Sequence, residues 1–414
     1  MIVLVCNAGS TSLKFKLFDM PAAAILAQGK VERVGSSGDA IFQYINLQKN
    51  IQITRKNENI PDYRTGISFF IDCLLSENEG ALKSAEEIER VGFKTVLSKG
   101  YYGVHELTAP VLSGMEEWMV IAPAHNGPYL EAIRTLREVL PRAVFVGAFE
   151  TAFHTTIPQE CRIYGIPYEW YERFGVQKMG YHGASHGYVA DILNAEEGSE
   201  YKAISCHLGG SGSICAIENG RSINNSFGLS LQTGIIHANR VGDMESDMVF
   251  FLKSQGLTEE EIREGLMKKG GLLGISGVSN DLRYIEQAAQ TGNSRAKLAI
   301  DVYVNGILHY IGAYYAQLGG LDHLVFTGGI GENSATVRRM VCTRLAHFGI
   351  DFSEEDNAAV SGRGVITLEE SRVKVQVIPA NEELGVARRT YAYEQTPPPQ
   401  SREQAPVHRW KRQF

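Results

Sequence analysis

The sequence predicts an α/β protein made of two similar halves with a cleft between them, and three observations lead there. At 414 residues the chain is too long for one simple core and divides into domains. The stretch LVCNAGSTSLKFKLF at 4–18 is an apolar strand broken by small polar residues and resumed at once, and it has one counterpart, AISCHLGGSGSICAIENG at 203–220, half a chain later. After each of the two, helical and strand periodicities alternate, as layered α/β folds require.

Taken in order, each turn has two readings. Asn7-Ala8-Gly9-Ser10-Thr11-Ser12 and His207-Leu208-Gly209-Gly210-Ser211-Gly212-Ser213 are either ordinary hairpin turns or places where backbone N–H groups and hydroxyls converge on a phosphate chain. Their duplication favours the second reading. The run HNGPYLEAIRTLREVL spaces Leu130, Ile133, Leu136 and Leu140 as a helix, and 143–149 follows as a buried strand. SRAKLAIDVYVNGILHYIGAYYAQLGG is a long amphipathic helix stopped at Gly319-Gly320. It leads into strand LVFTGG and then IGENSATVRRM, where the chain turns at glycines before re-entering a helix. From Thr396 the chain is rich in Pro, Gln and Arg, which predicts a disordered, solvated tail over 396–414.

The formal net charge is -7 and the basic residues are dispersed, so there is no electrostatic footprint for nucleic acid or an anionic membrane. A small-molecule partner is favoured. Cys6, Cys206 and Cys215 lie in apolar strand-like runs, and no cysteine pair has metal-ligand spacing. The N-terminus lacks a basic region and no apolar run is long enough to cross a membrane, which predicts a reducing, cytoplasmic location.

Chemistry concentrates in a few motifs. Gly328-Gly329-Ile330-Gly331-Glu332-Asn333 exposes backbone at a helix start and suits a nucleotide. In GLLGISGVSNDLR, Arg283 either stacks on a base or meets a phosphate, or forms a surface pair with Asp281. Histidines gather at His125, His154, His182, His186 and His207. Gly183 and the helical pattern from Val189 put His182 in a loop and His186 near a helix start, so the pair is not a metal site; His182 is the functional candidate and most of the others are structural. Glu150, Glu382 and Glu383 could hold magnesium, and Arg240 and Lys94 could supply the positive charge that phosphoryl transfer needs.

Together NAGSTSLKF, APAHN, FETAFHTTIP, YHGASH, CHLGGSGS, NRVGD, GLLGISGVSNDLR, FTGGIGENS and IPANEEL resemble the acetate kinase family, from Met1 to about Tyr393. The resemblance implies two duplicated ribonuclease-H-like domains of the actin-like ATPase kind. The N-terminal domain is 1–150, completed by about 384–395, and the C-terminal nucleotide-binding domain is 151–383. It implies reversible in-line transfer from ATP to a carboxylate with Mg2+, and a homodimer. Residue by residue, Asn7, Ser10, Ser12 and Lys14 resemble the phosphate and metal region, His182 and Arg240 the groups that stabilise the migrating phosphoryl, and Glu382 the magnesium-side glutamate. His207 and Gly209-Gly210-Ser211-Gly212 resemble the ATP phosphate loop, with Asp281, Arg283 and 328–333 at the adenosine end.

The departures cluster where the acid would bind. The family's carboxylate-binding arginine is Lys94, beside Val96, and a lysine keeps the charge but loses the planar two-point grip. The family's catalytic aspartate is Glu150, its leucine before His-Asn is Ala124, its phenylalanine before His-Gly is Tyr181, and a proline is Leu231. Lys94, Val96, Ala124, Tyr181 and Leu231 are therefore expected to line the acid pocket, with Glu150, His182, Arg240 and Asn7 catalytic and Asn7 and Glu382 on the metal. Acetate is the default acid; propionate, butyrate or another acid, or a nucleotide-binding regulator with weak or no transfer, are the alternatives.

Overall fold

The structure, a computed structural model, describes residues 1–394 apart from Ser10, Ser199 and the side chains of Pro123 and Ala124. The tail expected over 396–414 lies outside the described residues, as do Ser10 and the Ala124 side chain.

Two sheets carry the fold. The first contains β1 (Ile2–Gly9), β2 (Ser12–Asp19), β3 (Ala24–Glu32), β4 (Ser36–Asn46), β5 (Ile51–Ile60), β6 (Ile88–Phe93), β7 (Val104–Glu106) and β8 (Val144–Ala148) in the order β5-β4-β3-β2-β1-β6-β8-β7. The second contains β9 (Lys202–His207), β10 (Ser213–Glu218), β11 (Arg221–Asn225), β12 (His323–Thr327), β13 (Gly364–Val365) and β14 (Lys374–Val377) in the order β11-β10-β9-β12-β14-β13. In the first, β3, β2 and β1 pair antiparallel while β1, β6 and β8 run parallel. In the second, β11, β10 and β9 pair antiparallel while β9, β12 and β14 run parallel. One topology is therefore used twice, and both small-residue turns fall at the same place in it.

The two turns differ in size. Gly9 pairs with Ser12, a tight closure, whereas Ser213 pairs with His207 and leaves Leu208 to Gly212 as an open loop. Gly328 to Asn333 also departs from the expected turn, because it is itself a short helix that begins directly after β12 and is followed by a second helix, Ala335–Arg344.

Apolar periodicity makes the helices that cover the sheets. Helix Ser294–Leu318 buries Ile300, Tyr303, Val304, Ile307 and Ile311 against the second sheet, and stops where Gly319 takes a left-handed φ of 65°. Helix Pro123–Val139 places Leu130, Ile133 and Leu136 in the first core. The final helix, Glu382–Ala392, returns to the first sheet, where Val386 and Ala387 pack with Val3 and Val5. Arg90 Nη1 closes its C-terminal end by donating to the Thr390 and Tyr391 carbonyls at 2.8 Å and to Tyr393 O at 2.6 Å. From the C-terminal half, Met179, Tyr181 and Phe227 join the first core, so the halves meet along a common wall.

Candidate active site

Two glycine loops lie side by side on the second sheet. Leu208 O accepts from the N–H of Ile330 at 2.8 Å and of Gly331 at 3.2 Å, and Leu208 N donates to Thr327 O at 2.8 Å. Gly328, at φ 77°, has no room for a side chain, since a Cβ there would stand 2.7 Å from Leu208 O. The candidates Gly209 to Gly212 and Gly328 to Asn333 thus form one backbone platform. Around it, Ala238 N donates to Gly210 O at 3.0 Å and Gly212 N donates to His237 Nδ1 at 3.1 Å, tying the loop to the segment that carries Arg240. Glu332 Oε1 accepts from Ala380 N at 2.9 Å, and Asn333 Nδ2 donates to Gly329 O at 2.8 Å. Asp281 caps the helix Leu282–Gln290 and pairs with an exposed Arg283 across 2.5 Å. That pair is the surface alternative among the readings of the sequence.

His182 caps helix Gly183–Glu197 from a left-handed backbone, φ 58° and ψ 30°. A non-glycine residue held there stores strain, a frequent mark of functional sites. Beside His182, Gly183 N donates to Glu150 O, just past β8 of the first sheet, at 2.9 Å, so closely that a Cβ on Gly183 would collide with that carbonyl. The His182 ring stacks on His207 with centroids 4.1 Å apart, and its Nδ1 meets Ser213 Oγ at 2.9 Å, leaving Nε2 for a ligand. Burial first, and the neighbouring His207 and Lys94 next, hold His182 well below the usual imidazole pKa, so it is neutral. Burial likewise lowers His207 to about 4. His154 and His186 are buried with both ring nitrogens hydrogen-bonded to the protein, so neither offers a nitrogen to a ligand.

Lys94, just past β6, is half-buried, and its ammonium lies between two carboxylates. Its Nζ stands 2.8 Å from Glu150 Oε1 and 2.8 Å from Glu382 Oε2. Burial alone would lower the ammonium pKa, but the two carboxylates outweigh it and raise it. Burial pushes Glu150 up, with Lys94 offsetting only part; at Glu382 burial is the largest single influence, but Lys94, His207 and Lys14 together outweigh it and the net direction is down. Glu150 Oε2 is buried without a hydrogen-bond partner. Beside this triad, Tyr129 donates its hydroxyl proton to Asn7 Oδ1 at 2.7 Å and thereby fixes the Asn7 amide, whose nitrogen is left to donate. Lys14, paired across the hairpin with Asn7, is exposed and adds to the field that lowers Glu382.

Arg240 is half-buried, donates to Leu231 O and has no carboxylate within ion-pair distance among the described residues. Burial lowers it to about 10, so it stays a cation at neutral pH. Leu231 is half-buried and Val96 buried. Tyr181 is fully buried and spends its hydroxyl on Leu229 O at 2.6 Å, so it shapes the wall through its ring, packed edge-on against Phe227. Sequence reasoning missed Tyr129 and Ser205, which read as helix and strand interior and which only their polarity inside apolar runs could have flagged, and it placed Ser213 in the second turn without its bonds to His182 and His186.

A glycine loop and a glycine helix start joined by backbone hydrogen bonds, beside a guanidinium with no ion-pair partner among the described residues, suit a phosphoryl-transfer enzyme on a duplicated α/β fold. Comparison then fixes the lineage: residues 2–388 match the Acetokinase family, and the chain belongs to it. It is 41% identical over 393 residues to the acetate kinase of Geobacillus kaustophilus, covering 93% of this chain and 97% of that one. Among solved structures it superposes on the acetate kinase of Porphyromonas gingivalis with a TM-score of 0.84 at 37% identity, covering 94% and 98% of the two chains. A propionate kinase from Francisella tularensis subsp. tularensis gives 0.85 at 31% identity, covering 94% and 99%.

Proposed function

We propose that this enzyme transfers the γ-phosphoryl group of ATP reversibly to a short-chain carboxylate, with acetate the default acid, giving ADP and an acyl phosphate. The observation that carries the reading is Arg240, a half-buried cation with no anionic partner among the described residues, on a segment hydrogen-bonded to the glycine platform. An anionic phosphoryl group is the partner it lacks. In this reading the nucleotide phosphates lie on His207, Gly209 to Gly212 and 328–333, with Lys14, Asp281 and Arg283 at its periphery. A carboxylate oxygen attacks the γ-phosphorus in line with the departing ADP oxygen. Arg240, the neutral His182 and the Asn7 amide meet the equatorial oxygens, while Lys94 orients the acid against Val96, Tyr181 and Leu231.

The oxygen donors would suit a hard divalent cation: Glu150 Oε2 lacks a hydrogen-bond partner, Glu382 meets the same Lys94 ammonium as Glu150, and Asn7 Oδ1 accepts from Tyr129 beside them. Among the described residues no cluster of three or more His, Cys, Asp or Glu side chains could hold an ion alone, so phosphate and water complete the set. Mg2+ carried with the nucleotide would neutralise phosphate charge there. The same reading assigns 1–150 with about 384–395 to one domain and 151–383 to the other, and expects a cytoplasmic homodimer. Exposed Tyr168, Trp170, Phe174, Phe250 and Phe251 supply apolar surface suited to such a contact; no helix among the described residues is long and apolar enough to cross a membrane.

ATP-dependent hydroxamate formation with magnesium and acids from formate to hexanoate tests the proposal. Product with acetate supports it. Product with a different acid alone reassigns the substrate, and measurable ATP binding with no product from any acid makes the protein a nucleotide-binding regulator.

A further inference from the structure

Behind His182 runs a closed line of hydrogen bonds that the transfer chemistry above does not use. His182 Nδ1 meets Ser213 Oγ at 2.9 Å, Ser213 Oγ meets His186 Nε2 at 2.8 Å, and His186 Nδ1 meets Ser205 Oγ at 2.9 Å. Ser205, His186 and Ser213 are fully buried. The line crosses from β9 through the first turn of helix Gly183–Glu197 to β10, and ends at the strained cap residue.

A serine hydroxyl has one proton to donate, and a neutral imidazole has one N–H and one bare nitrogen. Ser213 Oγ is buried, touches a ring nitrogen on each side and has no other hydrogen-bond partner among the described residues, so its proton is used only if it donates to one ring and accepts from the other. The whole line therefore has only two polarities. In one, Ser205 donates to His186 Nδ1, His186 Nε2–H donates to Ser213, and Ser213 donates to His182 Nδ1, which leaves His182 with its proton on Nε2. In the other every proton is reversed and His182 presents a bare Nε2 lone pair, which repels an anion.

We propose that Ser213, His186 and Ser205 are positioning residues that lock His182 in the Nε2–H tautomer, making it a hydrogen-bond donor to the anionic group in the cleft. The inference rests on the reading of His182 as a phosphoryl contact. A phosphoryl oxygen at Nε2 selects the first polarity, and each serine then holds the next ring in place without any group becoming charged. Partners behind metal-bound histidines are worth about 10- to 100-fold, and a comparable loss is expected behind His182.

Long-range nitrogen–proton correlation spectra of histidine-labelled enzyme, with Mg2+ and a non-hydrolysable ATP analogue, report the tautomer directly. Wild type and Ser213→Thr, which keeps the hydroxyl, are expected to show His182 protonated at Nε2. Ser213→Ala should give mixed or Nδ1 protonation and a kcat lower by about 10- to 100-fold with the ATP KM little changed. Ser205→Ala, at the far end, should shift the tautomer in the same direction and covers the case where Ser213→Ala does not fold. An unchanged His182 tautomer in a folded alanine variant overturns the proposal. Full transfer by His182→Ala would instead refute the phosphoryl contact, while the spectra still decide the relay.

Discussion

The ammonium of Lys94 stands 2.8 Å from Oε2 of Glu382, joining the end of a central strand of the first sheet to the start of a helix 288 residues further along the chain. With Glu150 at the same distance, one cation serves a buried carboxylate and a half-buried one. Removing it leaves both uncompensated. Lys94→Met is expected to cost about 3–5 kcal/mol of stability, read from the urea midpoint. It should also raise the acid KM far more than the ATP KM, whereas Lys94→Arg keeps the charge and much of both. Equal effects on the two KM values would count against Lys94 as the acid-orienting group.

Tyr129 and Asn7 allow a cleaner separation of chemistry from folding. Tyr129→Phe keeps the ring and deletes only the proton given to Asn7 Oδ1. Stability should change by about 1 kcal/mol at most, while kcat falls by about tenfold as the Asn7 amide loses its orientation. A variant with unchanged turnover would show that Asn7 needs no such support.

Gly183 tests the join between the halves. A methyl group there drives into Glu150 O. Gly183→Ala should lose about 1–3 kcal/mol and also slow transfer, because both Glu150 and His182 must shift. Normal activity with a lowered melting temperature would place the strain outside the site.

Acid sensitivity follows from the buried histidines. Burial lowers His154 and His207 from 6.5 to about 4 and His237 to about 3. Each folded value lies below the unfolded one, so the unfolded chain takes up protons first as pH falls. Their contribution is full above about pH 6.5, is lost progressively from there to about pH 4, and for His237 to about pH 3. Melting temperatures across this range should fall steadily, and His154→Gln should flatten the slope. A profile flat between pH 7 and 5 would contradict the burial of neutral rings.

The duplicated α/β plan was legible because two strand-turn-strand patterns recur, and the structure sets both on equivalent hairpins, β1–β2 and β9–β10. Helix Ser294–Leu318 and its glycine stop were legible for the same reason, since periodicity and caps are local. Lys94 could be identified as a replaced arginine, but its two glutamates lie far away in sequence and no spacing announces them. Tyr129 looks like any aromatic on the inner face of a helix. Ser213 lies in a turn rich in small residues, and its bonds to two imidazoles depend on how the helix after His182 crosses the strands.

The helix Glu382–Ala392 covers β1 and is pinned at its end by Arg90. β1 therefore waits for a helix far downstream in the chain before its apolar face is closed. The C-terminal sheet, contained within 202–377, has no such delay and can mature while synthesis continues. Premature termination before Glu382 would spare that sheet and strand the first one, exposing Val3 and Val5 to chaperones and proteases.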